Sequence, residues 1–127
     1  MWKYDPAHAP DPEKWLALDE QLRIAAVEKF HRDARIKMPN VRVHAALQAV
    51  IENQIAEQHA PAVRAMERLG KQGLSRHDCL HAIAWVLSGH IYRLATTELA
   101  TPAGAVQAQY DAAVERLTAD DWLSQAE

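Results

Sequence analysis

The 127-residue sequence predicts an all-α fold, an antiparallel helical bundle of four to five main helices with short helices at its ends. Three observations predict it. Apolar residues recur at three- and four-residue spacing in almost every segment after Asp11. Residues that cap or break helices stand between those segments. Alanine occurs 24 times while aromatic residues make up only 6%, a composition that favours helix and lets helices approach closely.

Residues 1–12 form an extended arm, kept so by Pro6, Pro10 and Pro12, whose Trp2 and Tyr4 need a surface to dock on. Residues 13–127 are expected to form one bundle domain. Asp11-Pro12 is a cap followed by proline at a first helical position, opening a short turn through Trp15 and Leu16. Asp19 caps a longer helix with Leu22, Ile24, Val27, Phe30, His31 and Ala34 on one stripe. Met38-Pro39-Asn40 ends it and caps the next, Val41 to about Gln58, with Val43, His44, Leu47, Ile51 and Ile55 on its core side. Pro61 starts a shorter helix bearing Val63, Met66 and Leu69, which stops at Gly70 and Gly73. Ser75-Arg76-His77-Asp78 is a capping-box pattern with Leu74 before it as a staple. The helix it opens runs to about Thr96 and places Leu80, Ile83, Leu87, Ile91 and Leu94 inward. Thr101-Pro102 opens another with Val106, Tyr110, Val114 and Leu117. A last turn, capped by Thr118 or Asp120, ends with Trp122 and Leu123.

The formal charge is −3, and a slight acidity argues against a dedicated binder of phosphate backbones. Gly70-Lys71-Gln72-Gly73, with Arg64, Arg68, Lys71, Arg76 and His77 around it, offers a helix-turn-helix as a minor alternative. A single cysteine excludes an intrachain disulfide and any cysteine-only zinc site. Cys79 lies outside the apolar stripe by projection and has no base opposite it, so it reads as a bystander. No run behind the first residues resembles a signal peptide, and the longest apolar stretch is too short to span a bilayer. The expectation is a soluble cytoplasmic protein.

Seven histidines are many for this length. Helical projection puts His31 and His44 on core stripes, and His77 and His81 one turn apart at the edge of an apolar face. His8, His59 and His90 are left for solvent or helix ends. An i, i+4 pair such as His77 and His81 points two imidazoles the same way, as helices do when they hold zinc or iron. His77-Asp78-x-x-His81 is one methylene from the zincin pattern, but the shorter Asp78 sits too far back to act as that base. His44, on another helix, is the candidate third ligand, and an open fourth position would leave a bound water as the reactive species. Glu28-x-x-His31 is the unit that di-iron bundles use twice; no second copy occurs, so such a centre is not expected.

Around residues 40–94 the chain resembles an uncharacterised family of small bacterial helical proteins, a domain of unknown function with one histidine pair on each of two helices. The residues that carry the resemblance are Pro39-Asn40, His44, Glu52-Asn53-Gln54, Pro61, Arg68-Leu69, Gly73-Leu74 and Arg76-His77-Asp78-x-x-His81-Ala82-Ile83. The resemblance implies a polar set of His44, His77 and His81, and it brings no activity with it. The sequence departs from the pattern at Gln48, where a second histidine would follow His44 by one turn.

Two functions compete. The first is a non-enzymatic structural or interaction domain in which His44, Gln48, Asn53, Gln54, His77, Asp78 and His81 form a polar cluster between helices. The second is a protein that binds zinc or another divalent ion through His44, His77 and His81, with hydrolase-type chemistry open to it. Trp2, Tyr4, Trp85, Tyr92 and Trp122 exceed what an alanine-rich core needs, so the arm is expected to cover the protein's own core, while Trp85 and Tyr92 pack against the arm or against a second copy of the chain.

Overall fold

The computed structural model describes residues 2–96 and 102–125. Seven helices and no strand occur among them: α1 Pro12–Ala17, α2 Glu20–Asp33, α3 Val41–Ala56, α4 Ala60–Lys71, α5 Arg76–Thr96, α6 Ala103–Arg116 and α7 Ala119–Gln125. The all-α class is therefore as the sequence predicts. The chain forms two compact units, residues 1–59 and 60–127. Among the described residues, no helix is long and apolar enough to cross a membrane.

Helix starts follow local chemistry. Asp11 accepts the Lys14 N–H at 3.0 Å, Asp19 that of Gln21 at 3.2 Å, and Asn40 that of Val43 at 3.0 Å. Ser75 Oγ accepts from the Asp78 N–H at 3.1 Å. Thr118, rather than Asp120, caps α7. Its Oγ1 accepts from the Asp121 N–H while its own N–H donates to the Asp121 carboxylate, a complete capping box. Thr101 lies outside the described residues, and Pro102 holds the α6 cap position with no side-chain bond.

In the first unit α2 and α1 pack on α3. Tyr4, Trp15, Val27, Ala45 and Ala49 are its core, with Leu16, Ile24 and Phe30 packed against them. The arm thus docks on its own unit: Tyr4 is buried among Trp15 and Phe30, with ring centroids 5.8 and 6.3 Å away. Arg23 ties this corner together. Its guanidinium donates to the Leu16 and Leu18 carbonyls left over at the end of α1, and to Asn53 Oδ1, which also accepts from Trp15 Nε1.

The second unit has α4 against α5 and α6, and α5 against α6 and α7. Ala62, Ala65, Leu69, Leu80, Ala82, Ile83, Tyr110 and Val114 are among its buried residues on α4, α5 and α6. Arg68 does here what Arg23 does in the first unit. It donates to the Leu117 carbonyl at 3.0 Å and to that of Val114 at 2.8 Å, closing the end of α6.

Several stripes differ from projection. Leu22 is exposed because it stands five residues before Val27, about 140° around the helix from it. Val43 is exposed too, since the buried face of α3 is Ala45, Gln48, Ala49, Ile51 and Glu52. That face is narrower in its residues and lets α2 close in. Val63 is exposed on α4. Ile91 and Leu94 are exposed because α5, at 21 residues, outruns the 12-residue α4 by roughly 14 Å at about 1.5 Å per residue.

Three helices end in the same way, with a residue in the left-handed region. Arg35 (φ 57°), Gln58 (φ 58°) and Gly73 (φ 104°) follow α2, α3 and α4. The next N–H returns to a carbonyl five residues back: Ile36 to His31, His59 to Gln54 and Leu74 to Leu69. This is the Schellman arrangement, which favours glycine. Gly70, by contrast, lies inside α4. Arg35 and Gln58 carry a Cβ penalty of about 1–2 kcal/mol, partly offset by the freedom glycine would gain when unfolded. Gln58→Gly and Arg35→Gly are each expected to raise stability by about 0.5–1 kcal/mol in urea unfolding, and Gly73→Ala to lower it by about 1 kcal/mol.

Candidate functional site

The densest polar chemistry of the first unit lies between α2 and α3. His31 is fully buried on α2. Its Nδ1 stands 2.8 Å from the Val27 carbonyl, and a carbonyl can only accept, so Nδ1 carries the proton. In the neutral ring the lone pair is then on Nε2, the tautomer that metal-binding histidines adopt when a carbonyl fixes their other nitrogen. The His44 ring, half-buried on α3, lies 4.7 Å from that of His31, edge to face. Burial pushes the His44 pKa down, the neighbouring His31 adds to that, and the Gln48 amide works the other way. His44 is thereby held in the neutral form that ligates a cation.

Along α3, His44, Gln48 and Glu52 succeed one another at one-turn intervals. Gln48 and Glu52 are buried. The Tyr4 hydroxyl donates to Glu52 Oε2 at 2.5 Å and accepts from Gln48 Nε2 at 3.0 Å. A buried carboxylate is tolerable only when hydrogen-bonded, and the arm supplies one such donor.

In the second unit the His77 and His81 rings are 4.1 Å apart on α5, both half-buried, and Trp122 lies 6.5 Å from His81. The i, i+4 spacing thus brings this pair together. Asp78 is half-buried beside it, its N–H on Ser75. Of the other residues in the expected polar cluster, Asn53 binds Trp15 and Arg23, and Gln54 is half-buried. Glu28 turns to the surface, where Arg32 at 2.7 Å and Arg42 at 3.0 Å hold its carboxyl below its ordinary pKa.

Two residues depart from projection. His90 is buried beside Tyr110, ring centroids 5.8 Å apart, because it stands seven residues after Ile83 on the side covered by α6. Cys79 is buried too, near the Met66 and Leu74 carbonyls, since α5 packs on three helices and its covered arc exceeds one stripe. Burial and the Asp78 carboxylate push its thiol pKa up, which opposes a nucleophilic role.

The positive charge between α4 and α5 is largely engaged. Arg64 pairs with Glu115 and Lys71 with Glu67, while Arg68 is spent on backbone carbonyls. The juxtaposition that sequence reasoning missed is His31 with His44. Each was visible on a core stripe, but nothing in the spacing says that the two stripes meet. Comparison with family models, curated proteins and solved structures finds no match to the chain.

Two outcomes follow. Tyr4→Phe removes a hydroxyl shared by two buried polar groups, Gln48 and Glu52, and is expected to cost about 2–4 kcal/mol in chemical unfolding, beyond the usual loss of one hydroxyl. For His44, the folded pKa lies below the unfolded value near 6.5. The unfolded state therefore binds a proton first as pH falls. Stability is full above about pH 6.5 and declines below it until the folded-state pKa is passed. Urea midpoints at pH 7.5 and 5.5 measure this, and His44→Gln is expected to flatten the difference.

Proposed function

We propose that the chain is a small helical protein that binds a divalent ion of borderline softness, such as zinc, through imidazoles. His31 and His44 are the ligand pair of the first unit, and His77 and His81 that of the second. The observation that carries this reading is the buried His31 ring with its Nδ1 proton committed to Val27 and its centroid 4.7 Å from that of His44. A ring so oriented carries its lone pair on Nε2 when neutral, and its neighbour is already biased to the neutral state. The ion would supply a Lewis-acidic centre, or hold register between α2 and α3.

A second reading, a polar seam that only fixes helix packing, is favoured by the buried bonds among Tyr4, Gln48 and Glu52. Relationship of residues 40–94 to the small bacterial family they resemble fits either reading.

Protein purified without a histidine tag is expected to carry stoichiometric metal by elemental analysis. Removing it with a chelator should lower the melting temperature, and zinc should restore it. His31→Ala and His44→Ala should weaken zinc binding by at least about a hundredfold, with His77→Ala and His81→Ala testing the second pair by the same titration. Absence of zinc binding by the parent chain, with variants altering stability alone, would overturn the metal reading in favour of the seam.

A further inference from the structure

Gln48 is a fully buried amide on α3, one turn after His44 and one turn before Glu52. An amide has a donor end and an acceptor end, and its bonds decide which way each faces. The Glu52 carboxylate accepts the Tyr4 hydroxyl proton. The phenol oxygen, its own hydrogen committed, can then accept, and Gln48 Nε2 donates to it at 3.0 Å. The nitrogen of the amide is thus held toward Tyr4, and the carbonyl oxygen is turned away from it.

That oxygen, Oε1, is buried and has no hydrogen-bond partner among the described residues. Leaving such an acceptor dry and unpaired is costly, so a buried carbonyl oxygen in this state calls for a ligand. Gln48 stands one turn after His44 on α3, and His44 is the ring packed on His31. All of these groups belong to the first unit.

We infer that Gln48 Oε1 is the third protein donor of the first unit's metal site, beside His31 and His44, and that Tyr4 and Glu52 are positioning residues that aim it. The inference rests on the metal-binding reading proposed above. Two imidazole nitrogens and one neutral oxygen leave room for water on a tetrahedral ion. Such a donor set suits zinc or cobalt(II) better than copper(I), which prefers sulfur. Glu52 acts through Tyr4 and does not itself touch the ion.

The full-length chain, titrated with zinc against a chromophoric chelator and with cobalt(II) by visible absorption, tests this. Gln48→Leu is expected to weaken zinc at least about tenfold and to shift the cobalt bands, because a donor is lost. Gln48→Glu keeps an oxygen there but loses the N–H that Tyr4 holds, so it should bind more tightly than Gln48→Leu and shift the cobalt bands. Tyr4→Phe should weaken zinc by about 10–100-fold yet give the parent cobalt spectrum at saturation, since the donors are unchanged. Zinc affinity of Gln48→Leu within twofold of the parent, with unaltered cobalt bands, would sink the inference. Should that variant not fold, Gln48→Glu decides, and cobalt bands identical to the parent's reject it, because exchanging an amide oxygen for a carboxylate on the ion has to move them. If the parent binds no zinc, this inference and the metal reading fail together. If His31→Ala loses zinc while Gln48 variants do not, only the present one fails.

Discussion

The hydrogen bond from Tyr4 to Glu52 is the constraint on which the first unit turns. A carboxylate with almost no exposed surface has to be compensated, and the arm brings one of the compensating donors. Docking Tyr4 brings Trp2 and Trp15 into edge contact and seats Phe30 against the phenol ring. It also fixes the direction of the Gln48 amide, and through it the surroundings of His44. Packing, hydrogen bonding and the candidate ligands are thus parts of one connected arrangement.

Cationic side chains are used for closure in both units. Arg23 finishes the carbonyls at the end of α1, and Arg68 those at the end of α6. A guanidinium suits this work because its fixed fork reaches two acceptors at once, and its stem can lie along apolar surface. What looks in the sequence like a basic patch around Arg64, Arg68 and Lys71 is therefore mostly internal stitching and ion pairing.

Helix positions were legible because they depend on neighbours in the chain. Asp11, Asp19, Asn40, Ser75 and Thr118 all cap the helices that local patterns predict. Rotation of the helices was less so. Projection turned α3 by its large apolar residues, which put Val43 inward. In the structure α3 turns by what lets α2 approach, which is Ala45 and Ala49, and by what Tyr4 can satisfy, which is Gln48 and Glu52. The second influence is invisible locally, since a partner that helps make these polar residues acceptable in a core lies 44 to 48 positions away. His77 with His81 was readable from spacing on one helix. His31 with His44 was not, because its meeting depends on that same rotation of α3. His90 and Cys79 were misplaced for a related reason: α5 is enclosed on more sides than a single stripe allows.

The separation of Tyr4 from Glu52 also has a temporal side. The two residues are 48 positions apart. At ribosomal rates of about 5–20 residues per second, the tyrosine is made roughly 2–10 s before its acceptor. Over that interval Tyr4 has no α3 to settle on, although α2 can already form. The Tyr4 ring, almost fully covered in the folded unit, is made before the helix that holds its hydroxyl, so nascent chains spend seconds with that ring uncovered.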